Sequence, residues 1–221
     1  MKVCIFAVCY NSYKESLVFL NSISTSIKNT NIELDLFYID NSSKVNLESI
    51  KLIKSYNCEF KLNYIKSENL GYFPSITSVI NKNAIILSKY DYTIVSNVDL
   101  AVSNSFFSTL EDIPIVSDIG VYAPSIYSNA LNADKNPKIH KRPSLLKLKL
   151  NNYLFSSSVT YLLLKFVNST RVRFRQLLKY IPQESSNIEK LTFSRIYAAH
   201  GSLIIFTNAF LRKNVDFSYP I

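Results

Sequence analysis

Residues 36–43 read LFYIDNSS: an apolar run that stops at an aspartate, an asparagine and two serines. Two readings fit such a junction. Strands end in turns, and turns favour Asp, Asn and Ser. In open α/β sheets, ligands also bind just outside the carboxyl ends of strands. The flanking sequence repeats the pattern. Upstream, residues 2–9 (KVCIFAVC) form a continuous apolar run, as a buried parallel strand does, and lead into CYNS. Downstream, 60–67 (FKLNYIKS) leads into SENLGY, and 92–100 (YTIVSNVDL) carries SNVD.

Helical spacing fills the intervals. Leu17, Leu20, Ser24 and Ile27 share one face after a start near Asn11 or Ser12, and Leu47, Ile50 and Ile53 share another over 46–56. A helix is predicted over 73–89, with Pro74 tolerated in its first turn, and a short one over 104–113. A further strand is predicted over 119–127, then SLIIF as a strand and TNAFLRKN as a helix near the end. The βαβαβαβ rhythm predicts an α/β fold with a mostly parallel central sheet flanked by helices. Four polar clusters, each just past a strand, favour a shared site over four separate turns.

Composition narrows the classes. Hydrophobic content of 48% argues against disorder, and no run of about 20 apolar residues is present to span a membrane. The start reads as a strand, not a signal peptide. Cys4, Cys9 and Cys58 are odd in number and lack metal-ligand spacing, which points to buried free thiols in a reducing compartment. With only three glycines, each one present invites a positional reason. No phosphate-binding G-x-x-x-x-G-K-[ST] loop, G-x-G-x-x-G or G-x-S-x-G occurs, so ATPase, dinucleotide and serine-hydrolase readings lose their support.

The clusters suit one chemistry. Asp99, with Asn97 beside it, is the oxygen ligand expected for Mg²⁺ or Mn²⁺ that also grips a diphosphate. Asp40 could accept hydrogen bonds from a nucleobase. Asn69 and Gly71 suit close backbone approach to a ligand.

In order and spacing, CYNS, YIDNSS, ENLGY and SNVD resemble the N-terminal half of a glycosyltransferase family 2 enzyme with the GT-A fold, of the bacterial rhamnosyltransferase-like, surface-polysaccharide kind. The resemblance covers residues 2–127, and HGSLIIF at 200–206 more loosely. It implies nucleotide-sugar contacts at Tyr10, Asn11, Asp40, Asn41, Ser43, Asn69, Gly71, Asn97 and Asp99. Asp99 would be the metal ligand, and His200 and Gly201 would lie on the acceptor side. Asn97 stands where the family's metal motif begins with an aspartate. The implied activity is inverting transfer of a sugar from UDP or dTDP to a saccharide or lipid-linked saccharide, a hexosyltransferase-type reaction of lipopolysaccharide or capsule synthesis. The family's catalytic acidic pair, in a context similar to FSYPI, has no match; Asp216 lies ahead of it. The resemblance therefore implies a single domain truncated at its C-terminus, with the base beyond Ile221. Residues 1–134 would be its nucleotide-sugar half and 184–221 the start of its acceptor half. A catalytically inactive binding or scaffold module of the same fold is the alternative.

Residues 135–183 stand apart. They hold eleven Lys or Arg and no Asp or Glu, whereas the rest of the chain nets −2, so the basicity belongs to this segment alone. Leu, Tyr and Phe are interleaved with the charges, predicting a basic amphipathic helical insertion. It could be a solvated face, a nucleic-acid site using Arg171, Arg173 and Arg175, or a membrane-surface segment. The apolar residues favour an anionic membrane over nucleic acid. The expected place is thus the cytoplasm, peripheral at the inner face of the bacterial inner membrane.

Overall fold

The structure, a computed structural model, describes residues 1–113, 118–139, 141–162, 165–166, 169–170 and 193–212. Four strands run parallel: β1 (Lys2–Cys9), β2 (Glu33–Asp40), β3 (Lys61–Lys66) and β4 (Tyr92–Asn97). Two short strands, β5 (Val121–Tyr122) and β8 (Leu203–Thr207), extend the sheet antiparallel beyond β4, giving the order β3-β2-β1-β4-β8-β5. The fold is α/β with a mostly parallel six-stranded sheet flanked by helices.

The apolar runs explain the layers. β1 is buried on both faces, so its residues alternate between two cores. On one face Val3, Ile5 and Ala7 meet Phe19, Leu20 and Ile23 of α1 (Tyr13–Ile27), Ile53 of α2 (Leu47–Lys54) and Phe107 and Leu110 of α4 (Phe106–Asp112). On the other, Cys4, Phe6 and Val8 meet Ile76 and Val79 of α3 (Tyr72–Lys82). Cys4 and Cys9 are fully buried thiols; burial pushes the Cys4 thiol up to about 12, which leaves it inert.

Several element bounds differ from the sequence reading. The helix expected over 73–89 ends at Lys82, because Asn83 caps it and Ala84 takes a positive φ of 48°; a single 3₁₀ turn, Leu87–Lys89, follows. The strand expected over 119–127 is broken at Pro124, which cannot donate to a ladder. Its second part instead forms a separate hairpin of β6 (Tyr127–Ser128) and β7 (Ala133–Asp134). Asp134 secures that hairpin by accepting from Ser125 Oγ and from the amides of Ile126 and Asn136. β4 stops at Asn97, three residues early, so Val98 and Asp99 lie in a loop.

The chain divides into two compact units. One spans Met1–Lys138 and resumes at Ala199; the other is Ile139–Ala198. The second contains α5 (Leu145–Phe155), begun by Ser144, whose hydroxyl accepts from the Lys147 amide. The helix is not amphipathic as expected. Lys147 and Lys149 project about 200° apart on an α-helix, so leucines occupy the arcs on both sides of them. None of its residues is buried. Arg171, Arg173, Arg175, Lys179, Asp216 and the FSYPI stretch lie outside the described residues, as does all of 184–192.

Candidate functional site

The strand order decides where a ligand can sit. From β1 the chain steps outward to β2 and β3, then returns to place β4 on the other side of β1. Loops leaving β1 and β4 therefore diverge and open a crevice between them. A cleft of about 230 Å³ lies there. Val8, Tyr10 and Ser12 line it from the end of β1, and Asn97, Val98 and Asp99 from the end of β4. Asn41, Asn69, Gly71 and Tyr72 complete it from the loops after β2 and β3.

Six of the nine donor-side residues expected from the sequence thus meet in one cleft: Tyr10, Asn41, Asn69, Gly71, Asn97 and Asp99. Tyr10 is half exposed, leaving its ring available for stacking. Gly71 has φ +94°, a conformation that side chains resist, and this turns the chain into α3. Asn69 Oδ1 accepts from the Gly71 amide at 3.3 Å and steadies that turn. Asp99 is exposed, whereas Asn97 is only partly so. The Asn97 amide donates to Ser202 O at 2.9 Å, which holds the end of β4 against the start of β8.

Two polar atoms of cleft-lining residues are buried without a hydrogen-bond partner: Asn41 Oδ1 and the Tyr72 hydroxyl. Asn41 Nδ2 donates to Ser75 Oγ at 2.8 Å and to Gly71 O at 3.4 Å, which orients the amide and leaves Oδ1 unpaired. Buried polar groups are rarely left so. Burial raises the Tyr72 pKa, and the nearby Asp99 carboxylate raises it further, so the phenol stays protonated.

Three expected donor contacts are elsewhere. Asp40 is wholly buried behind the cleft, and its oxygens are already occupied. Oδ2 accepts from Tyr64 Oη at 2.6 Å and Tyr13 Oη at 3.0 Å and lies 3.4 Å from Lys66 Nζ; Oδ1 accepts from the Ser42 amide at 2.9 Å. Burial alone would raise its pKa. The hydrogen bonds from Ser42, Tyr64 and Tyr13 outweigh that and hold it below the ordinary value. Asp40 has no solvent exposure and is not among the residues that line the cleft, so this structure does not bring it to the place where direct acceptance from a base was expected. Asn11 takes a positive φ of 55° and spends its polar groups on the loop after β2: its amide donates to Ser42 Oγ, Oδ1 accepts from the Lys44 amide, and Nδ2 donates to Ser43 Oγ. Asn11 and Ser43 thus stitch the ends of β1 and β2 and do not line the cleft.

His200 and Gly201 also stand outside the cleft lining. The His200 amide donates to Asn136 Oδ1 at 3.0 Å, and its ring Nδ1 is 2.9 Å from Ser202 Oγ. A Cβ on Gly201 would meet nothing within 4 Å, so no steric reason requires glycine there. The sequence reading missed Ser12, Tyr72 and the tyrosines around Asp40. Tyr72 had a signal, since it follows Gly71 at once; Tyr13 and Tyr64 had none, being 27 and 24 residues from their partner.

Among the described residues no three His, Cys, Asp or Glu gather as a metal cage. Asp99 with Asn97 nonetheless fits Mg²⁺ or Mn²⁺, which are commonly held by one or two carboxylates and completed by substrate phosphates.

No protein-family model matches the chain, and no curated protein matches it. Solved structures do. The first 349 residues of S. aureus TarS match at 14% identity and TM-score 0.39, over 51% of this chain and 32% of that one. The mannosyltransferase PcManGT from Pyrobaculum calidifontis, solved with GDP-Man and Mn²⁺, matches at 10% and 0.47, over 57% and 35%. The galactosyltransferase LgtC, solved with donor and acceptor sugar analogues, matches at 12% and 0.43, over 98% and 61%. The chain spans about a third of the first two and under two thirds of the last.

Proposed function

We propose that the protein is a GT-A-type glycosyltransferase whose cleft between β1 and β4 binds a nucleotide-sugar. The observation that carries this is the convergence of Tyr10, Asn41, Asn69, Gly71, Asn97 and Asp99 on one cleft at the switch point, with two buried polar atoms unpaired at its wall. Tyr10 suits stacking on the base. The Gly71 turn lets the backbone approach the nucleotide. Asp99 and Asn97 would hold Mg²⁺ or Mn²⁺, whose positive charge stabilises the departing diphosphate. Asp40 acts indirectly, fixing the loop 41–43 from behind.

In the proposed reaction an acceptor hydroxyl attacks the anomeric carbon with inversion. The C–O bond to the UDP or dTDP phosphate breaks, and the hydroxyl proton passes to a base. The acceptor would be a saccharide or lipid-linked saccharide of bacterial surface-polysaccharide synthesis, and the basic segment would keep the enzyme peripheral at the inner membrane face. A donor-binding module without catalysis is the second reading. It is favoured by the cleft lining itself, in which Asp99 is the single carboxylate among the described residues.

Calorimetric titration with UDP and dTDP, with and without Mn²⁺, tests the donor site. Metal-dependent binding that Asp99→Ala weakens is expected; no binding of either nucleotide would overturn the proposal. Sugar transfer by the same sample separates the two readings.

A further inference from the structure

The second unit exposes an apolar surface that its own fold does not use. α5 buries no residue, and Leu146, Tyr153 and Phe155 are 79, 72 and 60% exposed. The surface continues past the helix through Val159, Leu162 and Phe166, each more than 60% exposed. A soluble surface rarely leaves so many large apolar side chains together without an occupant. A helix with apolar residues on every side is ordinarily surrounded by apolar material. At 11 residues α5 is about 16 Å long, far short of the roughly 30 Å of a hydrocarbon core.

The charges select the occupant. Lys141, Arg142, Lys147, Lys149 and Lys165 accompany the leucines, and no Asp or Glu lies between 135 and 183. A second copy of this surface would bring like charges together. Nucleic acid would satisfy the lysines and leave the leucines in water. An anionic bilayer answers both, offering phosphates to the cations and acyl chains to the leucines.

We propose that α5 docks the protein on an anionic phospholipid surface by insertion. Its leucines and aromatics sink below the headgroups while Lys147 and Lys149 reach back up to the phosphates. This rests on the reading of the protein as peripheral at a membrane. It differs from a purely electrostatic seat in a measurable way: part of the binding survives high salt.

The chain contains no tryptophan, so Phe155→Trp installs a single reporter at an exposed position. The full-length variant is sedimented with phosphatidylglycerol-containing and with pure phosphatidylcholine vesicles, at low and high salt, and its emission is read. Expected are preference for anionic vesicles, a blue shift on binding and binding retained in part at high salt. Lys147→Gln with Lys149→Gln should weaken low-salt binding about thirtyfold, and Leu146→Ser about tenfold at either salt. Sedimentation with unshifted emission, or full release by salt, overturns insertion and leaves a peripheral, electrostatic seat. No sedimentation overturns both. A concentration-dependent blue shift without lipid overturns the proposal in favour of a second copy, and a shift on adding RNA in favour of nucleic acid.

Discussion

Asp40 ends β2 and Asp99 lies just past the end of β4, each close to an asparagine after an apolar run, yet their surroundings are opposite. Asp40 has no solvent exposure and four donors around it. Asp99 is exposed on the cleft wall. The difference lies in their neighbours. β2 sits between β1 and β3, so α1 supplies Tyr13 and β3 supplies Tyr64 and Lys66 to seal its end. β4 lies across the switch point, where the loops separate and, among the described residues, Asp99 stays exposed. A carboxylate at or just past a strand end is thus sealed into the fold or left open on a cleft, according to which strands flank it.

Substitutions sharpen or break this contrast. The largest effect is expected from Asp40→Ala. It leaves the Tyr64 hydroxyl without its acceptor and removes the buried carboxylate that Tyr13, Lys66 and the Ser42 amide share, and should cost about 3–5 kcal/mol in urea unfolding. Asp99→Ala should leave stability within about 0.5 kcal/mol. A destabilised Asp99→Ala protein, or an unaffected Asp40→Ala one, would erase the distinction.

Next in size is Asp99→Ala on binding. The loss expected for nucleotide in the presence of Mn²⁺ is about 1.5–3 kcal/mol, or ten- to a hundredfold, with the Mn²⁺ dependence removed. Calorimetry reads both.

pH offers the same comparison without mutation. The pKa of Asp40 is lower folded than unfolded, so the unfolded chain binds its proton more readily. The stability it contributes is full above the ordinary value of 3.8 and is lost as pH falls through the lower folded value. Asp40→Asn should remove this acid-side slope in denaturation measured between neutral and acid pH, whereas Asp99→Asn should keep it.

Gly71→Ala should cost about 1–3 kcal/mol, because φ of +94° strains any side chain although a Cβ would meet only Pro74 Cδ at 3.9 Å. The smallest effect is expected from Asn46→Ala, about 1 kcal/mol, through loss of the bond that Asn46 Oδ1 accepts from the Ser49 amide at the start of α2. It lies off the cleft lining, so nucleotide binding should not change.

Much of this was legible beforehand, for physical reasons. β1 is buried on both faces, so its sequence is one unbroken apolar run; α1 is buried on one, so its leucines and isoleucines recur every three or four residues. Both signals are local. The early stop of β4 was hidden, because Val98 is as apolar as a strand residue and is buried all the same. The extent of α3 was overread, since the Ile85–Leu87 stretch mimics helical spacing beyond a turn set by Asn83 and Ala84.

By itself, then, the sequence determined the α/β alternation, the parallel core and the placing of polar clusters just past the strands. Each is written in the spacing of near neighbours. The tertiary structure alone decided which clusters meet in one cleft, that Asp40 is sealed while Asp99 is open, and that α5 buries none of its residues. Those outcomes depend on strand order and on partners tens of residues away, and burial is a property of the assembled neighbours, not of the residue.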